Sequence, residues 1–203
     1  MEHRKWLGVG GVIGPVALVS AIVVVSARRA DYSHATDVVS RLGEVGGPWA
    51  PLMNFGGFLI YGLTVVGLAC GLYLAFRGRP GDWLGPALLG AYGMCYLAIA
   101  FAPCDPGCTG ASSAFHEKAH VVLSRAIIML AFATPLVLFP QFTRVAPWSR
   151  VSFLSILLPV MGYLVFLGAV PGLESGWQQR VWLGSMLGWV AVSGACLARS
   201  SSQ

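Results

Sequence analysis

The chain has 203 residues, of which 56% are hydrophobic and 10% charged; 13 Lys and Arg against 8 Asp and Glu leave a formal net charge of +5. A soluble globular domain carries about 25% charged residues, so this composition excludes a protein whose whole surface meets water. Apolar runs of about 20 residues can cross a bilayer as helices, and six are readable, at 6–26, 51–76, 83–103, 120–142, 151–170 and 181–197.

Of these runs only the fourth contains a charged residue, Arg125. The intervals are short. The pattern predicts an all-α integral membrane bundle of six transmembrane helices, a single domain over residues 1–203 with no soluble domain attached. The first run follows Arg4-Lys5 as a signal peptide would. Its apolar core is longer than a signal core, and Arg28-Arg29 follow where small residues at a cleavage site would be expected, so it reads as a retained helix. Basic residues set the orientation. One side carries Arg4, Lys5, Arg77, Arg79, Arg144, Arg150 and Arg199 against Glu2 and Asp82. The other carries Arg28, Arg29, Arg41, Lys118 and Arg180 against Asp31, Asp37, Glu44, Asp105, Glu117 and Glu174. This predicts a multi-pass cell-membrane protein with both termini cytoplasmic and the acidic, His-bearing connections outside.

In chain order, Gly10 and Gly14 on the first helix and Gly67 and Gly71 on the second have the spacing that lets helices approach closely. The first outer connection holds His34, Asp37 and Glu44. Residues 36–42 predict a short interfacial helix, broken by Gly46-Gly47-Pro48. Asn54 sits just inside the second run, where an amide needs a partner. The third run ends at Cys104-Asp105-Pro106-Gly107-Cys108. Ser112 or Ser113 is expected to cap the fourth helix, whose first turns carry His116, Glu117 and His120. The two His, four apart, share a face. Arg125, five beyond His120, is expected on another side, paired or facing a polar cavity. The last outer connection brings Glu174, Gln178, Gln179 and Arg180; Trp148, Trp177 and Trp182 have the positions of interfacial anchors.

His116-Glu117-Lys118-Ala119-His120 fits H-E-x-x-H, in which two imidazoles on one helical face hold zinc and the Glu acts as base. Asp105, Glu174 or a cysteine can supply the third ligand. Cys104 and Cys108 can form a disulfide in an oxidising compartment or ligate a metal. Cys70, Cys95 and Cys196 lie in apolar runs and read as packing. Without metal, Asp105 can orient His116 or His120 as a general base. The same groups can equally form a loop network that only fixes helix ends.

Three stretches carry a family resemblance. The first is Tyr32-Ser33, Ser40-Arg41-Leu42-Gly43, Asn54 and Tyr61-Gly62. The second is Phe101-Ala102-Pro103-Cys104-Asp105-Pro106-Gly107-Cys108 with His116 or His120 following, and the third is Gln179-Arg180. Across nearly the whole chain these resemble the bacterial six-helix membrane family called domain of unknown function 998. More distantly, the chain is similar to eukaryotic proteins of the Frag1/DRAM/Sfk1 type, linked to lipid handling. The resemblance implies six transmembrane helices and an Asp/His/Gln-Arg constellation on one face. It does not supply the zinc pair.

The expected partners are the bilayer and a lipid or other hydrophobic small molecule, not nucleic acid. The first functional reading is a hydrolase acting at the outer face. In it Asp105, His116 and His120 give acid–base or zinc chemistry with Glu117 assisting, and Asn54, Gln179, Arg180 and Glu174 bind a polar headgroup. The alternatives are a membrane-embedded cyclase or isomerase with a protonated Asp105 as donor, or a non-catalytic carrier, sensor or assembly partner. Asn54, Asp105, His116, His120, Gln179 and Arg180 are expected to converge on one polar pocket, since polar groups at that height cost energy unless they satisfy one another.

Overall fold

A computed structural model describes residues 2–200. Helix α1 (Glu2–Ser26) is followed by a long connection containing a 3-10 turn at Val39–Gly43. A π-helical segment (Leu52–Leu59) runs directly into α2 (Ile60–Phe76). Then come α3 (Leu84–Ile99), α4 (Phe115–Phe142), a 3-10 turn at Trp148–Arg150, α5 (Leu154–Phe166) and α6 (Ser175–Ser200), with no strand among the described residues. In hydrocarbon every backbone amide and carbonyl must be satisfied within the chain, and a helix does this locally.

Four stretches are long and apolar enough to cross a membrane: Glu2–Ser26, Leu52–Phe76, Phe115–Phe142 and Ser175–Ser200. Helices α3 and α5 are equally apolar but have 16 and 13 residues. At 1.5 Å per residue they span about 24 Å and about 20 Å, less than the roughly 30 Å of a hydrocarbon core. The apolar runs 83–103 and 151–170 are longer than their helices because both ends of each run are spent in turns.

Each helix packs on its neighbours in sequence, and α6 closes back onto α1, so the six form a ring. At one end the three long connections touch. The Val45 amide donates to the Cys104 carbonyl (2.9 Å) and the Gly176 amide to the Ala35 carbonyl (2.8 Å). At the other, short-link end, Gln141 Nε2 donates to the Gly81 carbonyl (2.6 Å). There Trp148 is buried against Phe76 and Phe142 instead of lying at an interface. Trp182 is buried too, packed on Phe166, whereas Trp177 is exposed and stacks on His34. Two of the three tryptophans expected as anchors are thus core residues, because ring closure puts a helix or link over each of them.

The tightest helix approach is α1 on α6. A Cβ added at Gly194 would lie 2.6 Å from the Gly8 carbonyl oxygen and 2.9 Å from the Gly11 Cα. Gly10, singled out by its spacing with Gly14, is looser, with nothing nearer than 3.8 Å. Gly194→Ala should therefore push α1 and α6 apart and cost about 1–3 kcal/mol, the usual range for overpacking. Gly184→Ala on the same helix, where a Cβ meets nothing within 4 Å, is the matched control. Thermal unfolding in detergent separates the two, and equal midpoints would remove this contact from the account.

The long-loop end is held by a buried ion-pair network. The Arg29 guanidinium, with 5% of its side chain exposed, donates from Nε (3.2 Å) and Nη2 (2.6 Å) to Asp31 and from Nη2 to Glu44 (2.7 Å). Its Nη1 donates to the Arg41 carbonyl (2.7 Å). The other Glu44 oxygen accepts the Gly107 amide (2.7 Å), which ties the α1–α2 connection to the cysteine loop. Arg41 completes the network through Asp37 (2.6 Å) and Asp31 (3.0 Å). The helix expected at 36–42 is a shorter 3-10 turn. Its Val39 and Leu42 face the core, and Arg41 faces the carboxylates.

Candidate functional site

The α3–α4 connection is built around Cys104 and Cys108, joined as a disulfide with Cα atoms 5.1 Å apart. Gly107 turns the loop with a φ of 84°, a left-handed conformation that favours glycine. Helix α4 begins at Phe115 without a side-chain cap; Ser112 accepts the Ala114 amide (3.2 Å) instead of capping the first turn. The helix start is anchored by Glu117. Its buried carboxylate accepts the Asp105 amide (2.6 Å) and the Gly110 amide (2.8 Å), so it clamps both limbs of the loop.

His116 and Asp105 form a half-exposed pair, Nε2 to Oδ1 2.7 Å. Hydrogen bonds from Ser112 and then from His116 hold the Asp105 carboxyl below its ordinary range. This direction favours the carboxylate, opposite to the raised value that a protonated Asp105 donor would need.

His120 is buried, with Nδ1 2.8 Å from the Ala102 carbonyl. A carbonyl only accepts, so Nδ1 carries the hydrogen and Nε2 is left as a lone-pair acceptor. The two imidazoles expected to share a metal are thus committed to different partners, and Glu117 is turned to backbone amides. Among the described residues no group of three His, Cys, Asp or Glu side chains is arranged to hold a metal ion. The donor set does not fit the zinc site that the H-E-x-x-H spacing suggests.

His120, Glu117 and Gln179 line one cavity of about 530 Å³, bounded by α4, the start of α6, the Cys108–Gly110 loop and the end of α5 at Phe166. Arg125 lines it as well. Its offset of five residues from His120 was expected to turn it elsewhere, but the cavity reaches round α4 far enough to take in both. Among the described residues Arg125 has no hydrogen-bond or ion-pair partner. Ser40, Ser124 and Gln178 also face this space. Ser124, one turn beyond His120, was available from the helical period; Ser40 belongs to a stretch that carries the family resemblance, but nothing in the sequence places it beside α4.

The other candidates lie elsewhere. Asn54 donates from Nδ2 to the Gly43 carbonyl (2.9 Å) and lines a separate cavity of about 520 Å³ beside Phe55 and Phe101. Gln179 accepts the Val39 amide (2.7 Å), and this holds the 3-10 turn over the bundle. Arg180 donates to the Tyr32 hydroxyl, to the Asp37 carbonyl (2.9 Å) and from Nε to His34 Nδ1 (3.1 Å). Burial, then the Arg180 charge, lowers the His34 basicity. Glu174 is exposed in the α5–α6 link. The expected single convergence is therefore replaced by a cavity, a neighbouring pocket and a loop latch. Asn54, Gln179 and Arg180 bond the α1–α2 connection, whereas His116, Glu117 and His120 bond groups of the α3–α4 connection.

A family model described as a protein of unknown function (DUF998) matches residues 12–195. The chain belongs to this family. The match runs from within α1 to near the end of α6, so it takes in α2 to α5 whole, most of α1 and α6, the disulfide loop and the residues that line the cavity. No curated protein and no solved structure matches the chain.

Proposed function

We propose that this DUF998 protein is a six-span protein of the cell membrane, one membrane unit along its length, with both termini cytoplasmic and the long-loop end outside. In this reading it hydrolyses a lipid or other hydrophobic small molecule carrying an acidic group. One observation carries it: an imidazole oriented through Nδ1 and a guanidinium without a partner among the described residues line the same cavity, among mixed polar and apolar walls. His120 takes a proton from water at Nε2, with its ring orientation held by the Ala102 carbonyl. Arg125 receives the anionic group, for which a planar guanidinium is suited. Ser40, Ser124 and Gln178 supply further hydrogen bonds. Glu117, Asn54, Gln179 and Arg180 shape the walls and connections, and the Asp105–His116 pair stands at the mouth of the loop.

The test is turnover of a panel of acidic lipids and hydrophobic esters by the purified protein, read by mass spectrometry. His120→Asn keeps a donor for the Ala102 carbonyl and removes the base. It should lower kcat/KM by about 100-fold or more, the scale of general-base catalysis. Unchanged turnover in this variant would sink the hydrolase reading. A second reading, a non-catalytic carrier or sensor, is favoured by the number of polar side chains already committed to backbone groups. Retention of a ligand through purification with no product formed would select it.

Orientation has its own check. Cys104 and Cys108 should react with a membrane-impermeant thiol reagent applied to intact cells only after reduction. Reaction in opened cells alone would reverse the topology.

A further inference from the structure

Beside the large cavity lies a second space, a slot of about 70 Å³, and Ser40, Ser124, Ile128 and Gln179 line both. Beyond these shared residues the slot walls are Phe58, Tyr96, Ile99, Ile127, Trp182 and Leu183, buried aromatic and aliphatic side chains. A space so lined has too few polar groups to hold water well and favours an apolar guest. At about 70 Å³, against about 530 Å³ for the cavity beside it, the slot suits the tip of one hydrocarbon chain. A second chain has no room beside it.

The head of the ligand is set by Arg125. It lies ten residues past the start of α4, about 15 Å along the helix axis, exposed at the cavity edge and without a partner among the described residues. Glu117 also lines the cavity, but its carboxylate is taken by two backbone amides and makes no ion pair with Arg125. An anionic group on a ligand in the cavity would supply the counter-charge that Arg125 lacks among the described residues.

Building on the function proposed above, we infer that the ligand is a single-chain amphiphile with one anionic head. The head sits at Arg125, and the chain enters the slot past Ser124 to end between Tyr96 and Trp182. Head chemistry, carboxylate or phosphate, is shared here; chain number is the distinguishing claim.

The experiment measures affinity of the purified protein in detergent for dodecyl phosphate, dodecanoate, dodecanol and didodecanoyl phosphatidic acid. The anionic single-chain probe of the correct head should bind about tenfold or more tighter than both dodecanol and the two-chain lipid. Arg125→Leu should erase the advantage over dodecanol. Ser124→Phe, which blocks the slot mouth, should weaken dodecyl phosphate while leaving butyl phosphate unchanged. Unfolding midpoints identify variants that fail to fold, and Arg125→Gln and Ser124→Leu then replace them. Two-chain lipid binding as tightly as the single-chain probe, with Arg125 still required, would overturn the single-chain inference and leave the proposed function standing. Binding of dodecanol equal to that of both anions, unaffected by Arg125→Leu, would overturn both.

Discussion

Arg29→Ala should destabilise the protein by about 3–5 kcal/mol, the cost of breaking a buried charge pair by removing one partner. The guanidinium holds Asp31 and Glu44 by charge-assisted bonds and the Arg41 carbonyl by a further one. Removing it leaves Glu44, with 9% of its side chain exposed, accepting only the Gly107 amide and facing Arg41 Nε at 3.9 Å. The consequences reach beyond the pair, because Glu44 is the post on which the α1–α2 connection and the cysteine loop meet. The measurement is thermal or denaturant unfolding in detergent. Arg29→Met combined with Glu44→Leu removes both charges together and should recover much of the loss, since a buried pair replaced by apolar groups is often neutral. A wild-type midpoint in Arg29→Ala alone would mean that water reaches the network and that its burial has no energetic weight.

Glu117→Ala has the second largest expected effect. It leaves the Asp105 and Gly110 amides without their acceptor, at about 1–3 kcal/mol for each buried donor. The first turn of α4 should fray, and with it the placement of His120 and the wall of the cavity. Glu117→Gln discriminates between two roles. As a clamp, the carboxylate uses both oxygens, so an amide that presents –NH₂ to one of the two N–H groups lowers the unfolding midpoint. As a catalytic base it would tolerate the isostere structurally and lose turnover alone. A stable, inactive Glu117→Gln would therefore return Glu117 to the chemistry and contradict the clamp.

Some of the site was readable before any coordinates. Short spacing brought Cys104 near Cys108 and Asp105 near two histidines, but it left open disulfide against metal ligation and His116 against His120; the fold shows the disulfide and the His116 pair. The partners that act across long sequence distances were not readable. Gln179 on Val39, Arg180 on Tyr32, and Glu44 on Gly107 join separate connections, and nothing in a linear pattern says which connections meet. H-E-x-x-H shows the limit most clearly. The spacing is correct for one helical face, yet the loop packed over that face takes all three side chains before a metal could.

The sequence by itself determined the class of the protein. Apolar runs are a property of composition and length, so helices in a membrane follow whatever packs beside them, and the family motifs are likewise written in the linear chain. Only the tertiary structure decided which polar groups are free. Asn54, Gln179 and Arg180 are spent on the backbone of another connection and Glu117 and His120 Nδ1 on that of their own, while Arg125 lines a cavity without a partner among the described residues. The reason is physical: a polar side chain at the end of a bundle bonds to the nearest unsatisfied backbone group, and what is nearest is set by how the ring of helices closes.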